Sequence, residues 1–153
     1  MREETCCFTG HREISRGEAE RLVALLDEEI ERLAARGVRF FGAGGAEGFD
    51  TLAAQAVLRA RARRPELRLI LVLPFPRRMT TPEYDRVLRA TDKVVYVSPC
   101  YREGCYHARN RRLAEGSGVC VAYLRRGGGT GYTVGYCRKL GVEVINLAQR
   151  LER

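Results

Sequence analysis

Three short segments hold most of the residues with chemical potential: Thr9-Gly10-His11-Arg12, the run Gly42-Ala43-Gly44-Gly45-Ala46-Glu47-Gly48-Phe49-Asp50, and Gly127-Gly128-Gly129-Thr130. A phosphate must approach backbone N–H groups closely, and a Cβ or a forbidden positive φ would block it; glycine removes both obstacles. If such a turn opens into a helix, the first N–H groups lack partners and carry roughly half a positive charge, so an anion is stabilised there. Gly128, Gly129 and Thr130 make the better phosphate cradle. Gly44, Gly45 and Asp50 suit the sugar or a second phosphate. One glycine run alone reads equally well as a surface turn, but two at helix starts in one sheet favour a ligand.

The charged residues beside these turns have competing readings. Asp50 fits a helix N-cap, worth about 1 kcal/mol, or an acceptor for ribose hydroxyls. Arg12 could grip phosphate with its planar guanidinium. His11 could hydrogen-bond or stack, although a lone histidine is more often structural. Further on, Arg109-Asn110-Arg111-Arg112 cannot all face a core. A solvated helix face explains most of that run, and Arg109 with Asn110 is the pair best placed to look into a cleft.

Six cysteines without a secretion signal argue for reduced thiols and a cytoplasmic setting. Cys6, Cys7 and Cys120 fall in expected strands and Cys137 in an expected helix, so they read as small hydrophobes. Cys100, Cys105 and His107 offer three soft ligands in one loop. Their spacing is not that of a common zinc module and a fourth ligand is not evident, so no metal is expected. The net charge of +8 comes from 27 basic and 19 acidic residues. It favours anionic partners without naming them, and no apolar run is long enough to span a membrane.

These segments need a scaffold, and the chain alternates short apolar runs with amphipathic stretches, the pattern of repeated βα units on a parallel sheet. Six strands are expected: 5–9, 39–43, 68–73, 93–97, 119–124 and 142–147. Their near-continuous apolar character suits a sheet buried on both faces. In the first helix, Ser15 and Glu18 have capping-box spacing and Gly37 supplies a left-handed stop. Between them Ala19, Leu22, Val23, Leu26, Ile30, Leu33 and Ala34 recur at helical spacing. Further helices are expected at about 51–64, after Pro82, at 105–115, and from near Thr130 to before Gly141. At 153 residues the chain fits one domain, 1–153. In such a sheet, ligands bind beyond the carboxyl ends of the strands, where the three polar loops would converge.

Cys6-Cys7-Phe8-Thr9-Gly10-His11-Arg12 followed by Gly44-Gly45-Ala46-Glu47-Gly48-Phe49-Asp50 resembles the YpsA-like branch of the SLOG (Smf/DprA-LOG) superfamily. Leu73-Pro74-Phe75, Val97-Ser98, Tyr101, Arg109-Asn110 and Gly128-Gly129-Thr130 follow in that family's order over nearly the whole chain. The resemblance implies a Rossmann-like three-layer α/β/α fold with a six-stranded, mainly parallel sheet in the order 3-2-1-4-5-6. It also implies a nucleotide-derived ligand across the crevice, such as ADP-ribose, NAD or a nucleoside phosphate. Gly10, His11, Arg12, Gly48, Asp50, Arg109, Asn110 and Thr133 join the glycine turns as candidate ligand contacts.

Two relatives in that superfamily define the alternatives. LOG phosphoribohydrolases cleave the N-glycosidic bond of nucleoside monophosphates with an arginine, matched here by Arg109, and a glutamate in a P-G-G-x-G-T-x-x-E motif. Thr133 stands at the glutamate position, and threonine neither stabilises an oxocarbenium-like charge nor transfers a proton at neutral pH. Glu47 or Asp50 would have to substitute. DprA-like binding of single-stranded DNA would draw on Tyr84, Tyr101, Tyr106, Tyr132 and the arginines. The expectation is therefore a ligand-binding, sensing or regulatory domain, with no obligatory cofactor and a homodimer possible. Hydrolysis ranks second and nucleic-acid binding third.

Overall fold

The computed structural model describes residues 2–76 and 81–152. A short 3-10 turn, Arg2–Glu4, leads into alternating strands and helices. These are β1 (Thr5–Gly10), α1 (Arg16–Ala35), β2 (Phe40–Ala43), α2 (Phe49–Arg63), β3 (Arg68–Leu73) and α3 (Pro82–Ala90). The second half holds β4 (Lys93–Tyr96), α4 (Cys105–Glu115), β5 (Val119–Tyr123), α5 (Gly129–Lys139), β6 (Glu143–Asn146) and α6 (Ala148–Leu151). Every strand pair is parallel, and the order across the sheet is β4-β3-β2-β1-β5-β6.

This is the Rossmann-like α/β architecture expected. The runs β3-β2-β1 and β5-β6 stand as the family order implied, whereas β4 lies outside β3 instead of between β1 and β5. The reason is that α3 packs beside α2, as α2 does beside α1. The chain thus makes a third right-handed crossover in the same direction. Only then does α4 carry it back over β3 and β1 on the opposite face, where α5 joins it. Direction reverses between β1 and β5, so α1 and α5 leave adjacent strands on opposite faces and open a crevice between their starts.

Side chains alternate along the strands with period two, and β1 shows it. Cys6 and Phe8 enter one core cluster with Leu22, Leu26, Ile30 and Leu33 of α1, while Cys7 enters the other with Leu113 and Ala114 of α4 and Val134 and Cys137 of α5. Leu22, Leu26, Ile30 and Leu33 of the α1 stripe are fully buried, with Ala19, Val23 and Ala34 half-buried beside them, each leucine or isoleucine contributing about 1.5–3 kcal/mol. Phe8 stacks on Phe41 with centroids 6.1 Å apart. Coverage is complete only at the sheet's centre, because two helices must serve six strands on the α4–α5 face. Ile70, Val95 and Val97 stay half-buried there.

The expected capping box does not form. Ser15 occupies the N-cap, but its side chain caps nothing. The Glu18 carboxylate instead accepts hydrogen bonds from the Tyr123 hydroxyl and the Arg125 guanidinium. Charge-assisted bonds are roughly twice as strong as neutral ones, so tertiary partners outcompete the local one. Gly37 does close α1, at φ 103°. Asn146 fastens β6 to β5 by exchanging side-chain bonds with the Leu124 N–H and carbonyl at 3.0 Å each.

Gly48 is the tightest backbone approach among the loops. It has φ 73°, and a Cβ there would stand 2.1 Å from the Arg12 carbonyl oxygen. Gly48→Ala therefore combines left-handed strain with a backbone clash, and is expected to cost at least about 2 kcal/mol. Chemical denaturation measures it; an unchanged midpoint would contradict the close packing of the β1 and β2 loops.

Candidate functional site

A cleft of about 380 Å³ opens at the carboxyl ends of β1 and β5. Four segments line it: Phe8 to Arg12 at the end of β1 and just beyond, Ala46 before α2 with Asp50 in its first turn, Tyr106, His107, Arg109 and Asn110 on α4, and Gly129 with Thr130 at the start of α5. The three polar loops picked out in the sequence thus meet at one rim, joined by α4.

His11 ties them together. Its carbonyl accepts the Phe49 N–H at 3.1 Å, fixing the start of α2. Its Nε2 accepts the Arg125 N–H at 2.9 Å, fixing the loop into α5. An Nε2 that accepts leaves Nδ1 to carry the proton. Burial, then the nearby Arg126 and Arg125 charges, lower its pKa and keep the ring neutral. Its basic lone pair is thus occupied by backbone, a positioning role and not that of a general base.

Asp50 lies in the first turn of α2 and is 7% exposed. The N-cap is Gly48, and Asp50 Oδ2 instead accepts the Ala46 N–H at 3.2 Å. Burial pushes its pKa up to about 6, against the opposing pull of Arg109, the Ala46 N–H and Arg12. Arg109 is equally buried. Its Nη1 donates to the Gly44 carbonyl, its Nε to Asn110 Oδ1 at 2.7 Å, and its guanidinium lies 5.8 Å from the Tyr106 ring centroid. Gly44 is where the two charged groups pass the backbone: a Cβ there would stand 2.9 Å from Arg109 Nη1 and 3.0 Å from Asp50 Oδ2.

On the opposite wall Gly128, at φ 99°, caps α5, so Gly129 and Thr130 present the first turn of that helix to the cleft. Arg12 is exposed at the mouth. Gly10, His11, Arg12, Asp50, Arg109, Asn110, Gly129 and Thr130 therefore share one cavity. Gly44 and Gly45 are buried behind it, and Gly48 and Glu47 face a separate depression shared with Arg12. Thr133 is buried, its hydroxyl donating to the Gly129 carbonyl at 3.0 Å; it braces the turn without lining the cleft.

Tyr106, a stacking candidate in the sequence, and His107, a metal-ligand candidate there, both line the cavity. Tyr106 lies one helical turn before Arg109 and Asn110, a spacing that marks a shared helix face. Cys100, Cys105 and His107 separate: Cys100 is exposed, Cys105 is buried, and His107 meets the Tyr132 ring at 4.8 Å. Among the described residues, the three metal-capable side chains that do converge are Cys7, Cys120 and Cys137.

No protein-family model matches the chain, and no curated protein is similar to it in sequence. Solved structures share the fold. DNA processing protein A from Helicobacter pylori, described for its single-stranded DNA binding mode, superposes with a TM-score of 0.67 at 19% identity over 92% of this chain and 63% of that one. The molybdenum cofactor carrier protein from Chlamydomonas reinhardtii gives 0.57 at 21% over 92% and 73%. DprA from Streptococcus pneumoniae gives 0.55 at 16% over 97% and 60%. The chain thus has the Rossmann-like fold seen in DprA proteins, and spans less than two thirds of either DprA chain. No helix among the described residues is long and apolar enough to cross a membrane.

The Asp50 pKa has a sign that can be measured. A carboxyl whose folded pKa is raised from 3.8 to about 6 binds its proton more tightly in the fold. It contributes stability that is full below about pH 4 and lost as pH rises through about 6, on the order of 3 kcal/mol. Asp50→Asn should remove that decline, so variant and wild type differ most above pH 6 in thermal melts. Parallel profiles from pH 4 to 7 would show that Asp50 does not titrate in this range.

Proposed function

We propose that this chain is a SLOG-type domain of the YpsA-like branch that binds a nucleotide or nucleotide-derived ligand, in a sensing or regulatory role. The observation that carries this reading is the convergence, in one cleft, of the α5 N-terminal turn with the buried Asp50 and Arg109. In the proposed pose a phosphate sits on the N–H groups of Gly129 and Thr130, as helix starts favour. Asp50 accepts from ribose hydroxyls once ionised, Arg12 neutralises charge at the mouth, and Tyr106 and His107 flank the base. All six cysteines are free thiols, which suits the cytoplasm, where such ligands abound. A homodimer, common among related folds, is part of the same proposal, and a small-molecule partner ranks above nucleic acid.

One observation favours a second reading, N-glycosidic hydrolysis of nucleoside monophosphates. With its pKa near 6, Asp50 is suited to proton transfer close to neutral pH. It is the carboxylate that lines the cavity; Glu47 does not. The arginine at the LOG-like position, Arg109, is held by the Gly44 carbonyl and is better described as bracing the wall.

Thermal shifts with AMP, ADP-ribose, NAD and cyclic dinucleotides test the binding reading. A ligand at 100 times its Kd should add about 2.7 kcal/mol, and Arg12→Ala should weaken that ligand at least tenfold while melting like wild type. Silence toward all four classes would overturn the proposal. Release of free base and ribose 5-phosphate from a nucleoside monophosphate, abolished by Asp50→Asn, would replace sensing with hydrolysis. Tight, steeply salt-dependent binding of single-stranded DNA, without a response to small ligands, would favour nucleic acid.

A further inference from the structure

Beneath the cleft, on the α4–α5 face of the sheet, three thiols from three separate segments meet. Cys7 of β1 and Cys120 of β5 are direct neighbours in the parallel register, and Cys137 reaches down from α5. Their sulfur atoms all lie within 4.8 Å of one another, and all three residues are buried. With metal–sulfur bonds of about 2.3 Å, the sulfurs of a trigonal centre stand about 4 Å apart. We propose that Cys7, Cys120 and Cys137 form a closed three-sulfur site for a soft, thiophilic cation, and that Cu(I) is the ion it suits.

The donor set selects the ion. Thiolates favour Cu(I), zinc and iron–sulfur clusters over harder cations, but structural zinc almost always takes four ligands in a tetrahedron. Here the surroundings are Leu113, Ala114, Ala122, Val134 and Val142. The Ser117 hydroxyl donates to the Leu113 carbonyl at 2.8 Å and also faces Cys7. A buried three-sulfur cage matches a d10 monovalent ion that is content with three ligands.

Each thiol still protonated releases its proton to solvent as it ligates, with no change in sulfur or copper oxidation state. Simple packing of three small apolar side chains is the rival explanation, and it does not require the sulfurs to converge as they do.

The helix that carries Cys137, α5, is glycine-rich: Gly129, Gly131 and Gly135 fall within its eleven residues, and a glycine in a helix interior costs about 1 kcal/mol relative to alanine. The same helix carries the Gly129–Thr130 turn, so an ion bridging Cys137 to β1 and β5 would pin the floor of the cleft.

The test is anaerobic titration of the full chain with Cu(I) against a chromophoric Cu(I) chelator. One equivalent should bind per chain, with near-ultraviolet sulfur-to-copper absorption and about three sulfur neighbours by X-ray absorption. Cys137→Ala and Cys120→Ala should each lose the stoichiometric site. Cys6→Ala, on the opposite face, and Cys100→Ala, at the surface, should keep it. Should the core variants fail to fold, alkylation mapping of wild type decides: bound Cu(I) must protect Cys7, Cys120 and Cys137 together. Failure to compete with the chelator, protection of other cysteines, or retention of Cu(I) by Cys137→Ala would overturn the proposal. Stoichiometric Zn(II) uptake with Cu(I) rejected would equally overturn the three-coordinate assignment.

Discussion

The cleft depends on the bonds made by His11. Its carbonyl holds the Phe49 N–H and its imidazole holds the Arg125 N–H, so one residue after β1 ties the start of α2 to the approach of α5. Loops are otherwise the mobile part of an α/β fold. Here the β2 and β5 loops are joined through His11, the first by its carbonyl and the second by a ring that edges onto Tyr123 at 5.7 Å and is kept neutral by burial and by neighbouring arginines. An imidazolium would have no lone pair to offer, and the loop into α5 would lose its anchor on the ring, while the carbonyl would still hold the start of α2. The protein thus uses its most chemically versatile side chain as a fixed acceptor.

Asp50 and Arg109 show the opposite economy. Taking a carboxylate and a guanidinium out of water together costs more than their attraction usually returns, so stability does not explain why both are buried. Gly44 lets them approach the same stretch of backbone, and Asn110, Tyr106 and the Gly44 carbonyl hold the arginine in place. The result is a polar wall facing the bare amide groups of α5 across the cavity. Such a wall suits a ligand with hydroxyls on one side and an anion on the other, as the proposed nucleotide would present.

The two faces of the sheet serve different ends. The α1–α2 face is a continuous hydrophobic core anchored by Phe8, Phe41 and Phe49. The α4–α5 face is thinner, and its centre holds Cys7, Cys120 and Cys137. Because α5 contributes to both the thiol trio and the cleft, the glycine-rich helix is the element through which the two would communicate.

Much of the architecture was legible in the sequence because it follows from local periodicity. Near-continuous apolar runs define six strands, an apolar stripe with Gly37 at its end defines α1, and glycines at strand ends mark the loops that meet. What the sequence could not decide were choices made by distant partners. Glu18 left its expected cap for Tyr123 and Arg125, β4 took the outer edge because α3 packed beside α2, and Thr133 turned inward while Tyr106 and His107 turned to the cleft. The convergence of three cysteines spread from β1 to α5 was equally hidden. The physical reason is the same in each case: spacing along a chain determines which face a residue occupies, but only the packing of separate segments determines what that face meets.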